Sequence, residues 1–149
     1  MKQAVLITAY KNFEHLQEII NFFDHDFSIY IHLDKKSRIS EGELIGLKNN
    51  VQVKHVTRKY NVNWGGFNHL KSILHLCEIA MKSKDIFYFH LISGHDFPIK
   101  GLKAFKGFFI NNKESQYIDI FNMPSPGWSG NGGMNRLEYF NLYDFLLNA

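Results

Sequence analysis

The chain has 149 residues, 45% of them hydrophobic and 21% charged, which describes one globular domain with a real core and excludes a disordered chain. The net charge of +3 is too small to demand nucleic acid, though it suits a small anionic ligand such as a diphosphate. The single cysteine, Cys77, excludes an internal disulfide and a thiolate metal cluster.

The chain opens with "MKQAVLITAY", whose apolar run over 4–9 is shorter than the core of a secretory signal. No segment reaches the roughly 20 apolar residues of a membrane span. The expectation is therefore a cytoplasmic protein, with peripheral membrane contact left open. "AVLITAY" reads as a buried strand, and Asn12 is placed to cap a helix over Phe13 to Phe23. Phe13, Leu16, Ile19, Ile20 and Phe23 give that helix one apolar face. "DFSIYIHLD" is a second strand, with Phe27, Ile29, Ile31 and Leu33 on one side. "SEGELIGLKNN" is a short helix or turn, and "VQVKHV" a third strand by alternation.

The strongest helical pattern runs from Gly66 to about Lys82, with Phe67, Leu70, Ile73, Leu74, Cys77 and Met81 as its expected buried stripe. "DIFYFHLIS" reads as the fourth and most buried strand. Leu102, Phe105, Phe108 and Phe109 mark another helix, and "SQYIDIF" a fifth strand. "NMPSPGWSGNGGMNR" is a loop by composition, and "LEYFNLYDFLLNA" a final helix. The chain is thus one domain over 1–149, with a loop and terminal helix over 122–149. The alternation of strand and helix predicts an α/β fold, a mostly parallel sheet flanked by helices. Ligands of such sheets bind beyond the carboxyl ends of the strands.

Polar residues gather at those ends. In "HLDKKS", Asp34 is placed to accept from a ribose hydroxyl or a base N–H, and Lys35 and Lys36 to offset phosphate charge. Asp and Ser equally suit an ordinary solvated turn. In "NVNWGGFNHL", Trp64 precedes two glycines that open the long helix, where backbone N–H groups can approach an anion. The same glycines would serve a tight turn into the helix. "LISGHDFPIK" delivers Ser93, His95 and Asp96 to the end of a buried strand, where an unpaired carboxylate costs desolvation.

Other motifs argue against competing chemistry. Neither G-x-G-x-x-G nor G-x-x-x-x-G-K-[ST] occurs, so dinucleotide and P-loop sites lack their main support. No G-x-S-x-G or H-E-x-x-H is present. Asp24 and Asp26 match D-x-D but precede a strand, at the wrong edge for the site, and read as a helix-ending turn. Trp128, in a Gly-rich loop, suits a sugar face or a pin that holds the loop to the core.

Taken together, "IYIHLDKKS", "VNWGGFNHLKSIL" and "YFHLISGHDFPIK" resemble the core 2/I-branching β-1,6-N-acetylglucosaminyltransferases and the related peptide O-xylosyltransferases. The resemblance covers most of residues 3–110. It implies a GT-A-like nucleotide-sugar fold, incomplete here, and inverting transfer of N-acetylglucosamine or xylose from a UDP-sugar to a glycan or protein hydroxyl. It implies no metal and no cofactor beyond the donor. By motif, Thr8, Asp34, Val62, Asn63 and Trp64 would contact the UDP part, and Asp96 would act near the donor sugar. The family's general base and the basic residues that replace a metal lie in its second half. The resemblance therefore implies that this chain is the nucleotide-sugar-binding half, with the base outside it. Two other readings stand beside the enzyme: a UDP-sugar-binding fragment without catalysis, and a nucleic-acid binder favoured only by the mild positive charge.

Overall fold

A computed structural model describes residues 2–63, 65–139 and 142–146. The elements in order are β1 (Lys2–Ala9), α1 (Phe13–Phe22), β2 (Phe27–Leu33), α2 (Glu41–Asn49), β3 (Val53–Thr57), α3 (Phe67–Ala80), β4 (Ile86–Ser93), α4 (Leu102–Asn111) and three helical turns, α5 (Ser129–Gly132), α6 (Asn135–Glu138) and α7 (Tyr143–Leu146). The four strands form one sheet in the order β3-β2-β1-β4, and every pairing is parallel. Parallel neighbours need crossovers, and here the helices supply them.

The alternation in β1 and β2 sends side chains into two cores. Val5, Ile7, Phe27, Ile29, Ile31 and Leu33 pack with Leu16, Ile19 and Ile20 of α1 and with Leu47 of α2, and Phe105 of α4 leans on this cluster. Ala4, Leu6 and Tyr30 point the other way, onto Leu76 and Ala80 of α3. All seven residues of β2 are buried, as a central strand covered on both faces should be.

Several expectations change. Asn12 makes no side-chain cap; it adopts a left-handed conformation with φ 57°, and its carbonyl accepts from Leu16 N at 3.1 Å. α2 is a full helix, opened by a capping box in which Ser40 and Glu43 bond each other's backbone N–H. The buried face of α3 is Ser72, Leu76 and Ala80, while Phe67, Leu70, Leu74 and Met81 are exposed. Small residues at 72 and 80 let the helix lie close to the sheet, which turns the bulkier stripe outward.

β4 is an edge strand, not the most buried one. Tyr88 and His90 are covered by α4, whereas Phe89 and Leu91, on the other side, are exposed. Residues 115–121 form no strand. Tyr88 donates to the Ser115 carbonyl at 3.2 Å and Tyr117 packs on Phe108 and Phe109, so the segment is pinned beside α4 instead of pairing with β4. The expected terminal helix over 137–149 is interrupted: α6 ends at Glu138 and Tyr139 is extended. The parts of that helix at 140–141 and 147–149 lie outside the described residues.

Asp24 and Asp26 sit at the amino end of β2, as expected of a helix-ending turn. Both accept from the Lys106 ammonium, which ties α4 to the base of the sheet. Among the described residues, no helix is long and apolar enough to cross a membrane.

Candidate nucleotide-sugar site

The parallel register brings three strand ends level, with Thr8 beside both His32 and Ser93. Chain reversal beyond these ends opens a cleft of about 870 Å3. The loops after β1, β2 and β4 and the stretch after β3 all contribute to its wall. Four of the six expected site residues line it: Thr8, Asp34, Val62 and Asn63. Trp64 lies outside the described residues.

Asp34 is only 7% exposed, and its position is built by hydrogen bonds. Its Oδ1 accepts from the backbone N–H of Lys36 at 2.9 Å and of Val62 at 3.2 Å. Its own N–H donates to the Ala9 carbonyl at 2.8 Å, which ties the ends of β1 and β2 together. Oδ2 lies 3.9 Å from the Lys36 ammonium. That ammonium in turn donates to Asn63 Oδ1 at 2.6 Å. Asp34 therefore presents a fixed, partly neutralised carboxylate whose Oδ2 accepts none of these backbone N–H groups.

Two more links hold the loop after β3 against the end of β2. Tyr60 N donates to His32 Nε2 at 3.1 Å, and Lys35 N donates to the Tyr60 carbonyl at 3.0 Å. Burial pushes the fully buried His32 ring down to about 4, so it is neutral at pH 7. The accepting role of Nε2 puts its proton on Nδ1, which is buried and has no partner among the described residues. Arg58 donates through Nη2 to the Lys35 carbonyl at 3.0 Å and the Ser37 carbonyl at 2.8 Å, bracing the same turn.

On the far side, Gly94 N donates to the Thr8 carbonyl at 2.8 Å. A Cβ at Gly94 would stand 2.6 Å from Ala9 Cβ, so the turn after β4 presses directly on the end of β1. That close approach carries Ser93 and His95 into the cleft wall. Asp96 is not in the wall: its Oδ2 accepts from Ser93 N at 2.6 Å and closes the turn.

The glycines before α3 do open the helix, but a carboxylate of the chain itself holds its first turn. Asp144 accepts from Asn68 N at 2.6 Å and from Asn63 Nδ2 at 3.2 Å. Sequence reasoning placed Lys35 and Lys36 toward phosphate. In the structure Lys35 is exposed outside the cleft wall, while Lys11 and Arg38 join Lys36 as its cationic lining. Arg38 stands two residues beyond Lys36 on the same strand-end loop, so reading that loop one step further would have found it.

Among the described residues, no group of three or more His, Cys, Asp or Glu side chains is placed to hold a metal ion. Trp128 is exposed and lies outside this cleft wall. Arg136 lies over its ring at 4.3 Å and Phe121 packs beside it at 5.5 Å, so the residue pins its loop and still shows part of its face.

No curated protein matches the chain. The sequence does match a family model described as Core-2/I-Branching enzyme, over residues 4–144, a span that runs from within β1 to Asp144. The parallel α/β architecture agrees with the GT-A-like fold expected of that family. The chain accordingly belongs to the Core-2/I-Branching enzymes, a family of glycosyltransferases.

Proposed function

We propose that this chain binds a UDP-sugar in the cleft at the carboxyl edge of its sheet and serves its transfer, with inversion and without a metal, to a hydroxyl of a glycan or protein. N-acetylglucosamine and xylose are the sugars that the resemblance favours. The observation that carries the reading is the setting of Asp34, a carboxylate locked by two backbone N–H bonds at the end of β2 in the wall of the strand-end cleft. Its Oδ2 is suited to a ribose hydroxyl or a base N–H. Thr8 and the Val62–Asn63 backbone flank it, and Trp64 is assigned with them to the uridine side. Asp96, on the turn that carries Ser93 and His95, is assigned to the donor sugar.

In an inverting transfer the acceptor oxygen forms its bond to the anomeric carbon as the bond to the diphosphate oxygen breaks. The acceptor proton goes to a base, and the developing negative charge goes to the departing diphosphate. The experiment is release of UDP by the purified chain from UDP-N-acetylglucosamine and UDP-xylose, with and without a glycan acceptor, in chelator. Acceptor-dependent release that is unchanged by chelator would establish metal-independent transfer by this chain. Binding of UDP without turnover would leave the non-catalytic binding reading. Absence of UDP binding would remove both.

A further inference from the structure

We propose that the outward crest of α3 docks this protein on an anionic lipid surface. The proposal does not depend on the nucleotide-sugar reading, since it concerns residues outside the cleft wall.

α3 has two apolar sides, and the sheet uses only one of them. Ser72, Leu76 and Ala80 are fully buried, with Leu76 and Ala80 packed on Ala4, Leu6 and Tyr30. At about 100° per residue, Phe67, Leu70, Leu74 and Met81 fall on the opposite side of the helix. Each of the four is between 46% and 70% exposed. Met81 is the C-cap and keeps helical geometry, so the row runs the whole length of α3, about 20 Å. A contiguous apolar row of this length left in water marks a contact surface.

The shape and the charge of the row select its partner. It is the crest of a helix that lies on the outside of a sheet, so it is convex. It offers no groove for a peptide and suits a surface that yields to it. Interfacial helices sit in a bilayer in this way, with apolar residues toward the acyl chains and lysines at the headgroups.

The lysines are in place. Lys71 and Lys82 lie about three turns apart on one flank of the crest, and Lys84 follows just past its end. All three are exposed and enter no ion pair with any described residue. The Lys71 ammonium rests over the Phe67 ring, 5.2 Å from its centre, so its stem lies along an apolar anchor while its charge stays in water. Nearby acids do not cancel this charge. Glu78 is the single acid of α3, and Asp85 is engaged by Lys2 at 3.9 Å and by the Ser83 hydroxyl at 2.8 Å. Each lysine near an anionic bilayer raises affinity by about fivefold. Gly65 and His69 line the cleft on either side of Phe67 in the chain, so docking through the crest would hold the α3 wall of the cleft beside the bilayer.

The test is cosedimentation of the purified full chain with phosphatidylcholine vesicles, with and without phosphatidylglycerol, together with sedimentation velocity of the chain alone. Binding to the phosphatidylglycerol vesicles is expected, at least about tenfold tighter than to phosphatidylcholine and falling as salt is raised. Leu70→Ser and Leu74→Ser together should weaken it by about tenfold or more, the loss expected when two half-exposed leucines no longer bury. Lys71→Glu and Lys82→Glu together should do the same on the anionic vesicles. Ile110→Ser, a comparably exposed site on α4, should bind as the parent does. All of these side chains are exposed, and a melting curve checks that each variant is folded. Absence of vesicle binding overturns the proposal, as does equal binding to both vesicle types or a leucine variant that binds like the parent. A chain that ignores vesicles but forms a dimer, which Leu70→Ser and Leu74→Ser dissociate, would make the crest an interface between copies instead.

Discussion

The side chain of Asp144 accepts a 2.6 Å hydrogen bond from the backbone N–H of Asn68, so the last described helical turn caps the first turn of α3 from 76 positions away. The same carboxylate reaches Asn63 Nδ2 at 3.2 Å. Because Asn63 also anchors the Lys36 ammonium, this capping contact is continuous with the cleft wall. A negative group at a helix N-terminus satisfies N–H donors that the helix cannot and meets the positive end of its dipole.

Removing that group should loosen α3 and the cleft together. Asp144→Ala is expected to lower stability by about 1 kcal/mol, the usual size of a lost N-terminal cap. Asp144→Asn keeps the acceptor and should recover part of it. Thermal unfolding of the three proteins measures both. Identical melting curves would mean that the contact contributes nothing in solution.

No sequence pattern announces such a contact, which separates what was legible here from what was not. The alternation of Phe27, Ile29, Ile31 and Leu33 predicts β2 and its face, because a period of two has only one way to bury apolar side chains. The strand-end rule then brings Thr8, Asp34, Val62 and Asn63 into one wall. For α3 the helical period is plain, but apolar residues occur on two sides, and only close packing at Ser72 and Ala80 decides which is inside. "SQYIDIF" alternates as a strand should, but alternation cannot supply a pairing partner, and Tyr117 finds ring contacts on α4 instead. Arg38 follows Lys36 by two residues on the same loop, and its place in the cleft wall comes with the path of that turn, which Arg58 braces from the loop after β3.

Asp34 has two jobs, and two substitutions separate them. Asp34→Ala strands the N–H groups of Lys36 and Val62 and should destabilise the fold by about 1–3 kcal/mol. Asp34→Asn keeps a carbonyl oxygen for both and removes only the charge. It should melt close to the parent and bind UDP about tenfold more weakly, if Oδ2 accepts from the nucleoside. An Asp34→Asn protein with parental UDP affinity would take this residue out of the binding site.

Gly94 tests how tightly the rim is built. A methyl group there would stand 2.6 Å from the Ala9 methyl and 3.3 Å from Ala9 Cα, neither of which is the end of a flexible chain. Gly94→Ala should therefore shift the turn that carries Ser93 and His95, costing about 1–3 kcal/mol as overpacked sites do. Ala9→Gly in the same protein makes room and should restore part of the stability. Equal melting of Gly94→Ala and the double variant would show that the strain is taken up elsewhere.

The buried histidines predict how stability depends on pH. His90 donates through Nε2 to Gln3 Oε1 at 2.7 Å and is ringed by Tyr88, Phe105 and Phe109. Burial pushes it down to about 4, as it does His32. An unfolded histidine titrates near 6.5. Below that pH the unfolded chain takes up protons that the folded chain refuses, so stability falls as the pH drops from about 6.5 and the loss levels off near 4. Each ring contributes up to about 3 kcal/mol to this slope. Carboxylates add a slope of their own at the acid end, since the bond from Lys106 holds Asp26 below its usual range. The difference between the parent and His90→Gln isolates the histidine, because glutamine keeps a polar partner for Gln3 and cannot titrate. Between pH 7 and 5 the melting temperature of His90→Gln should fall less than that of the parent. Parallel curves would mean that His90 is protonated as readily in the fold as outside it.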